Sequence, residues 1–382
     1  MDMTVVELTQ QLVRSPGVSG SEAATADLVE MTMNRLGFRD IVRTHSGSVV
    51  GLIGPSEERP ALLFDGHIDV VPVAGNWSVD PFGAVITNGR LYGRGATDMK
   101  GGLAAALVAA ATAAEAGPLR RSVAVSATVL EETVEGVALS EVLDLIDPEG
   151  VVICEPSSLQ IQIGQRGRAE LCLTAKGVPA HAAHPERGTN AVTLLAQALL
   201  ALERVEPRHD PMLGAGILVV TDVTTTPYPS ISMLPESATA RFDRRIVTGD
   251  DAASVLAEVQ RVVDQVAPET FNVEIAEGEV TCYTGRRLHP PRFLRSWTTS
   301  EDHALVLAAK AASQRALGSY QIGTYGFCTN GSESAGARGI PTIGIGPGDE
   351  KDAHTADESV AIEQLEMARD VYIHLIEQIG IQ

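Results

Sequence analysis

The stretch Ala61 to Pro72, ALLFDGHIDVVP, limits the folds open to this chain more than any other. Ala61 to Phe64 are apolar without alternation, the pattern of a short strand covered on both faces of a parallel sheet. At Gly66, read as a loosened strand end, the character changes. His67-x-Asp69 then places an imidazole and a carboxylate two residues apart where the chain leaves the sheet. In open α/β sheets, ligands bind outside the carboxyl ends of the strands. Taken alone, such a pair is more often a surface hydrogen bond, so its meaning depends on what else reaches that edge.

Four further stretches do. NGRLYGRGATDMKGG (88–102) is a glycine-rich loop that holds Asp98 just before an alanine-rich helix starting near Gly101. SVAVSATVL (122–130) reads as a strand ending in Glu131-Glu132. Neighbouring side chains on a regular strand face opposite ways, so both glutamates serve one site only if the chain turns off the sheet there. VVIC (151–154) is a short buried strand delivering Glu155, with Pro156 ending it. PTIGIGPG (341–348) leads to His354 and to a C-terminal helix from about Ser359 to Gln378. Gly93-x-Gly95 before a helix also resembles a dinucleotide-binding turn. Asp98, however, stands where the third glycine belongs, and a carboxylate there repels a pyrophosphate.

His67, Asp98, Glu131, Glu132, Glu155 and His354 on one sheet edge concentrate carboxylates unfavourably unless cations compensate them. Two divalent ions would do so. One shared carboxylate, plus one histidine and one carboxylate per ion, is a nitrogen and oxygen set suited to zinc, and it leaves one glutamate for proton transfer. Cys154, Cys172, Cys282 and Cys328 are scattered without a Cys-x-x-Cys pair, which fits a reducing compartment and argues against a thiolate site. A formal charge of −20 disfavours nucleic acid and anionic membranes as partners. No apolar run reaches the length of a membrane span, and Asp2 and Glu7 stand where a signal peptide would be basic. The expectation is a soluble, cytoplasmic protein.

A chain of 382 residues is expected to form two domains. Thr4 to Arg14 reads as a helix, as does a segment from Ser21 to Gly37 whose apolar side carries Leu28, Met31 and Leu36, and Ser48 to Ile53 reads as a strand. Between Gly167 and about Val280 the element order is β-α-β-β-α-β, the ferredoxin-like unit. Acids lie before this unit and His354 after it, so it is an insertion. The expected fold class is α/β: an open, mostly parallel sheet with helices on both faces, carrying an inserted ferredoxin-like α+β lid. Expected boundaries are 1–166 and 283–382 for the catalytic domain and 167–282 for the lid.

GHIDVVP (66–72), GRGATDMKGG (93–102), Glu131-Glu132, CEPSS (154–158), KGVPAHAAHPERGTNA (176–191) and GPG...AHTADE (346–358) follow one another in this order. Together they resemble the dinuclear zinc aminoacylase and carboxypeptidase family, which includes acetylornithine deacetylase, succinyl-diaminopimelate desuccinylase and glutamate carboxypeptidase. The resemblance implies that His67 and Glu155 hold one zinc ion, that Glu132 and His354 hold the other, and that Asp98 bridges them, with cobalt or manganese as alternative ions. It implies that Asp69 takes the other N–H of His67. Glu131 is then the general base, removing a proton from the metal-activated water and delivering it to the leaving nitrogen.

The same resemblance implies a cis peptide between Asp98 and Met99 and a homodimer formed through the lid. It also implies a histidine reaching over the site from the partner chain, His181 or else His184. Arg245, at the end of the lid's third strand, would take a substrate carboxylate, with Arg166 or Arg168 as helpers. Ser332 in TNGSESAG (329–336) is a further candidate for substrate contact. In three places the chain departs from the family pattern: Leu130 replaces an acid, Ser232 replaces a common asparagine, and TNGSESAG (329–336) differs from the loop of the better-known members.

A metal-dependent amidohydrolase, acting as a deacetylase or other deacylase on an N-acyl amino acid, uses the whole donor set and the base. A dipeptidase or carboxypeptidase uses the same residues. A non-catalytic binding protein of this fold has no need of Glu131, and a nucleotide-binding protein lacks its third glycine. The residues favour the amidohydrolase class and leave deacylase and dipeptidase level.

Overall fold

The computed structural model of the protein describes residues 3–56 and 59–379. The chain divides into two compact units, one made of Met1–Gln165, Glu279–His289 and Trp297–Gln382, the other of Arg166–Gly278 and Pro290–Ser296. The second crossing has no counterpart in a single insertion over 167–282. It arises because Phe293–Leu294 pairs with Gly167–Lys176 as an extra strand of the second unit.

The first unit is built on a nine-stranded sheet. Its order is Arg39–Arg43, Val49–Ile53, Val123–Thr128, Leu62–His67, Val151–Ile153, Thr342–Gly344, Ile161–Gln165 and Trp297–Thr298, with Ile322–Tyr325 also paired to Ile161–Gln165. The four strands from Val123–Thr128 to Thr342–Gly344 run parallel. Helices cover both faces, and alternation along the strands explains how. Leu62 and Phe64 join the core that includes helices Gly101–Ala116 and Ile362–Ile379, while Leu63 joins Leu139, Val142 and Leu143 of helix Val137–Leu145. The Phe64 ring lies 5.1 Å from that of Tyr372; burying a side chain of this size contributes about 1.5–3 kcal/mol.

Gly66 is not a loosened end. The strand continues through His67, and glycine suits the close packing there, since a Cβ at 66 would stand 3.0 Å from Leu103 Cβ. Gly102 serves the same packing from the helix side, where a Cβ would meet the Cys154 carbonyl oxygen at 2.1 Å. The alanine-rich helix therefore lies directly on the strands that carry His67 and Glu155 and sets the floor of their edge.

Three other local readings change. Met31 is 63% exposed, because the buried side of helix Ala23–Arg35 runs through Ala26, Val29 and Met33. The loop before Asp98 contains a hairpin, Val85–Thr87 with Arg90–Tyr92. Ser359–Ala361 adds a third strand to that hairpin, so the last helix begins at Ile362 rather than at Ser359.

The second unit has the strand order Ile217–Thr226, Ser237–Ile246, Gly167–Lys176, Phe271–Ile275, all antiparallel. Helices Ala191–Leu202 and Ala252–Asp264, capped by Asn190 and Asp251, bury Leu195, Ala198, Val255 and Val259 against Leu171, Leu173, Ala240 and Phe242. This is the ferredoxin-like arrangement. Its edge strand, Ile217–Thr226, leaves Ile217, Val219, Val220 and Val223 exposed. Among the described residues, no helix is long and apolar enough to cross a membrane.

Candidate metal centre

The parallel strands and their following turns bring six side chains to one edge of the first unit. His67 is the last residue of its strand. After Val123–Thr128, Leu130 adopts φ +60°, which turns the chain off the sheet and lets Glu131 and Glu132 face the same way. Glu155 follows Val151–Ile153. Asp98 lies in the kinked turn Ala96–Lys100, where the Asp98–Met99 peptide is cis. His354 comes from the loop that follows Thr342–Gly344.

The two oxygens of Asp98 face different histidines. Oδ1 is 3.0 Å from His67 Nε2 and Oδ2 is 3.1 Å from His354 Nε2. His354 Nε2 is also 2.8 Å from Glu132 Oε2, and His67 Nε2 is 3.5 Å from Glu155 Oε1 and 3.9 Å from Glu131 Oε2. His67, Asp98 and Glu132 each bring one donor atom into a group spanning no more than 4.8 Å, and so do His67, Glu131 and Glu155.

Charge explains why this cluster calls for cations. Burial pushes the Glu131 carboxyl well above the usual range, with the Glu155 charge adding to it. Burial and the neighbouring Asp98 do the same to Glu155, and together they lift Glu132 to about 7. Asp98 goes the other way. Its burial alone would raise it, but hydrogen bonds with His354 and His67 outweigh burial and hold it below the carboxylate range. Hydrogen bonding to Asp98 and then Glu132 raises His354 to about 10.

The residues fit a pair of divalent ions on three grounds. The donors are imidazole nitrogens and carboxylate oxygens, as zinc accepts. Histidine-to-carboxylate spacings of 2.8–3.5 Å bracket the roughly 3.3 Å edge of a tetrahedron with bonds of about 2.0 Å. Finally, Glu131 Oε1 and Glu155 Oε2 are buried without a hydrogen-bond partner, an expensive state that an ion or its water relieves.

A frame behind the cluster fixes its parts. His67 Nδ1 meets the backbone carbonyl of Asp69 at 2.9 Å, whereas the Asp69 carboxylate is 3.6 Å away. That differs from the sequence reading, in which the carboxylate takes the His67 N–H. The carboxylate is occupied elsewhere, accepting the N–H groups of Glu131 at 3.0 Å and Glu132 at 3.1 Å and the Ser19 hydroxyl at 2.7 Å. Glu22 accepts the preceding amide, that of Leu130, at 3.2 Å. Asn330 braces the turn by donating to Asp65 and Thr128 and accepting from Gly136 N–H. Lys100, fully buried, donates to the Ser15 carbonyl, and burial lowers its pKa to about 8 despite the opposing charges of Asp69 and Glu358. Motif spacing gave no role to Glu22, Asn330 or Lys100, because their partners are backbone groups and buried side chains of the frame. The available signal was a charged or amide residue inside an otherwise apolar, glycine-rich or helix-starting stretch.

The remaining candidates have surroundings of their own. Ser332 is buried against Gly136, a packing position. In the second unit, His181 and His184 are exposed with rings 6.2 Å apart; His181 Nδ1 accepts the Ala183 N–H, and His184 lies 3.7 Å from Glu186. Arg245 sits across from Arg168 on the sheet face away from the helices, and its Nε and Nη2 donate to Asp243 at 2.8 and 3.3 Å. Arg166 donates to the Ala215 carbonyl.

Residues 63–378 match the sequence model of Peptidase family M20/M25/M40. The chain is 31% identical over 365 residues to the uncharacterized protein YgeY of Escherichia coli K12, covering 94% of this chain and 89% of that one. It is 34% identical over 277 residues to the succinyl-diaminopimelate desuccinylase of Phenylobacterium zucineum, covering 68% and 72%. Among solved structures, the M20 family metallo-carboxypeptidase Sso-CP2 of Sulfolobus solfataricus superposes with a TM-score of 0.75 at 19% identity over the whole of both chains. The YXEP protein of Bacillus subtilis, described as a dinuclear metal-binding peptidase of the M20 family, superposes with a TM-score of 0.71 at 16% identity over 97% and 96% of the two chains.

Proposed function

The chain belongs to peptidase family M20/M25/M40, and from that membership and the geometry of the cluster we propose that it is a dinuclear metal-dependent hydrolase of the amide bond in N-acyl amino acids. The observation that carries this reading is the division of Asp98, one oxygen toward His67 and the other toward His354. His67 and Glu155 would hold one ion and Glu132 and His354 the other, with Asp98 shared; the donor set favours zinc. Bound there, the ions supply Lewis acidity to a water and to the amide carbonyl.

Glu131 moves the proton. Its burial, at 6% exposed, raises its basicity, and Oε1 has no competing partner. It takes the proton of the attacking water and gives it to the departing amine nitrogen, a contribution of about 10²–10⁴-fold. Asp69 keeps it aimed by holding its backbone N–H. An N-acyl amino acid is favoured over a dipeptide by the desuccinylase relative. Arg245 is the proposed handle for the substrate carboxylate, steadied by Asp243 through two of its donors.

The test is a hydrolysis screen of N-acetyl, N-succinyl and N-carbamoyl amino acids and dipeptides after reconstitution with zinc, cobalt or manganese. The expected outcome is chelator-sensitive release of the free amino acid. Glu131→Gln should keep two ions while losing about 10²–10⁴-fold in turnover, whereas Glu132→Ala should lose an ion. On the best substrate, the C-terminal amide should be rejected by wild type, and Arg245→Ala should hardly distinguish acid from amide. Activity that survives complete metal removal refutes the reading.

A further inference from the structure

Glu358 stands outside the six-residue cluster, yet its side chain grips the backbone that carries Asp98. It is 1% exposed. Oε1 accepts the N–H groups of Thr97 at 2.9 Å and Asp98 at 3.1 Å, while Oε2 receives Arg94 Nη1 at 2.6 Å. Arg94 is equally buried, with its guanidinium 5.2 Å from the Trp77 ring centre. The main chain repeats the connection. Gly93 N–H donates to the Glu358 carbonyl at 2.9 Å, the Thr97 hydroxyl donates to the Ser359 carbonyl at 2.8 Å, and Ser359–Ala361 pairs with Arg90–Tyr92.

Two successive N–H groups pointing the same way need an acceptor when buried, and a carboxylate shared between them and an arginine is a strong one. The direction of the Asp98 side chain follows this backbone. Reaching His67 on one side and His354 on the other, at 3.0 and 3.1 Å, leaves little room for rotation, since a metal site tolerates misplacement of only about 0.5 Å. His354 itself lies four residues before Glu358. One short segment therefore both supplies a histidine and fixes the turn of the carboxylate that faces it.

We propose that Glu358 is a positioning residue for the metal bridge: it sets the Thr97–Asp98 backbone before any ion arrives and registers Asp98 against His354. This rests on the reading above, in which Asp98 is shared by two ions. The competing role for Glu358 is only to neutralise buried Arg94.

Two double variants separate these roles, because each removes both buried charges and leaves none unpaired. Arg94→Met with Glu358→Gln keeps an acceptor for the two amides; Arg94→Met with Glu358→Met does not. Zinc uptake is read by competition with a chromophoric chelator, and the metal-free melting temperature is measured alongside. The Gln pair should bind two ions with affinity close to wild type, and the Met pair should bind the second ion about 10–100-fold more weakly. A Met pair that matches wild type in both ions overturns the inference and leaves the function proposal standing. A wild type that takes up no second ion overturns both.

Hydrogen exchange on the metal-free wild type gives a test independent of variant folding. The Thr97 and Asp98 amides should already be protected, whereas rapid exchange that ceases only when zinc is added would show the ion, not Glu358, ordering the turn.

Discussion

Asp69→Asn separates two ways in which a carboxylate beside a metal cluster can act. In the structure this fully buried group accepts three hydrogen bonds, from Ser19 Oγ and from the backbone amides of Glu131 and Glu132. Asparagine offers one acceptor oxygen and one NH₂. The serine hydroxyl can reverse its role, but two backbone N–H groups cannot, so either orientation of the amide leaves one of them facing a donor. A hydrogen bond to a charged acceptor is worth about 1.5–3 kcal/mol, and an orphaned buried N–H costs about 1–3 kcal/mol. Together these give a loss of about 2.5–6 kcal/mol, or a fall in melting temperature of about 5–12 °C at about 2 °C per kcal/mol for a domain of this size.

The assay is scanning calorimetry in the presence of a chelator, so that ion binding adds nothing to stability. If Asp69 acted instead on His67, the metal-free protein would hardly notice the change, because the Asp69 carbonyl that meets Nδ1 is unaltered. Only metal affinity would then drop. A metal-free melting temperature within about 1 °C of wild type refutes the clamp on Glu131 and Glu132.

Glu22→Gln should stabilise the protein in a pH-dependent way. Burial, reinforced by Asp69, raises Glu22 from 4.5 to about 7, so the folded state binds this proton more tightly than the unfolded chain. The associated stability is whole below pH 4.5 and is lost as pH rises to about 7. The Gln variant keeps the acceptor for Gly20 and Leu130 and should exceed wild type by roughly 1–3 kcal/mol above pH 7 with no gain near pH 4, as denaturant titrations would show; a pH-independent difference counts against it. The exposed apolar edge strand of the second unit should pair with its copy in a two-fold dimer. Mixing His181→Ala and Glu131→Ala subunits should then restore activity, and mixed dimers without recovery exclude a role for His181 across subunits.

The fold was legible because strand ends and chemistry coincide. Apolar or β-rich runs leading to His67, Glu131 and Glu155 specify buried strands, and the β-α-β-β-α-β order specifies the insertion. Edge strands were harder. Arg39–Arg43 has an exposed, charged pattern, and Ser359–Ala361 is too short to separate from the helix it precedes. Within the site, the six cluster residues could be read from motifs, since donor chemistry restricts residue type. The frame could not. Asp69, Glu22 and Glu358 act by accepting main-chain N–H groups, and which amide a carboxylate reaches depends on turns such as that at Leu130, whose positive φ no side-chain pattern announces.

The place of Thr342–Gly344 in the sheet has a consequence for biosynthesis. This strand lies between Val151–Ile153 and Ile161–Gln165, yet it leaves the ribosome after the entire second unit. At 5–20 residues per second, the interval between Ile153 and Thr342 takes about 10–40 s. Throughout it, the nascent sheet has a gap in its interior, and Asp98, Glu131 and Glu155 wait without His354. The second unit, Arg166–Gly278 with Pro290–Ser296, is complete before Thr342 is made and can mature meanwhile. On the proposed assignment, the ion shared with His354 would be captured only after this strand has joined the sheet, and slow translation between Ile153 and Thr342 prolongs the period in which an unpaired strand edge is open to other chains.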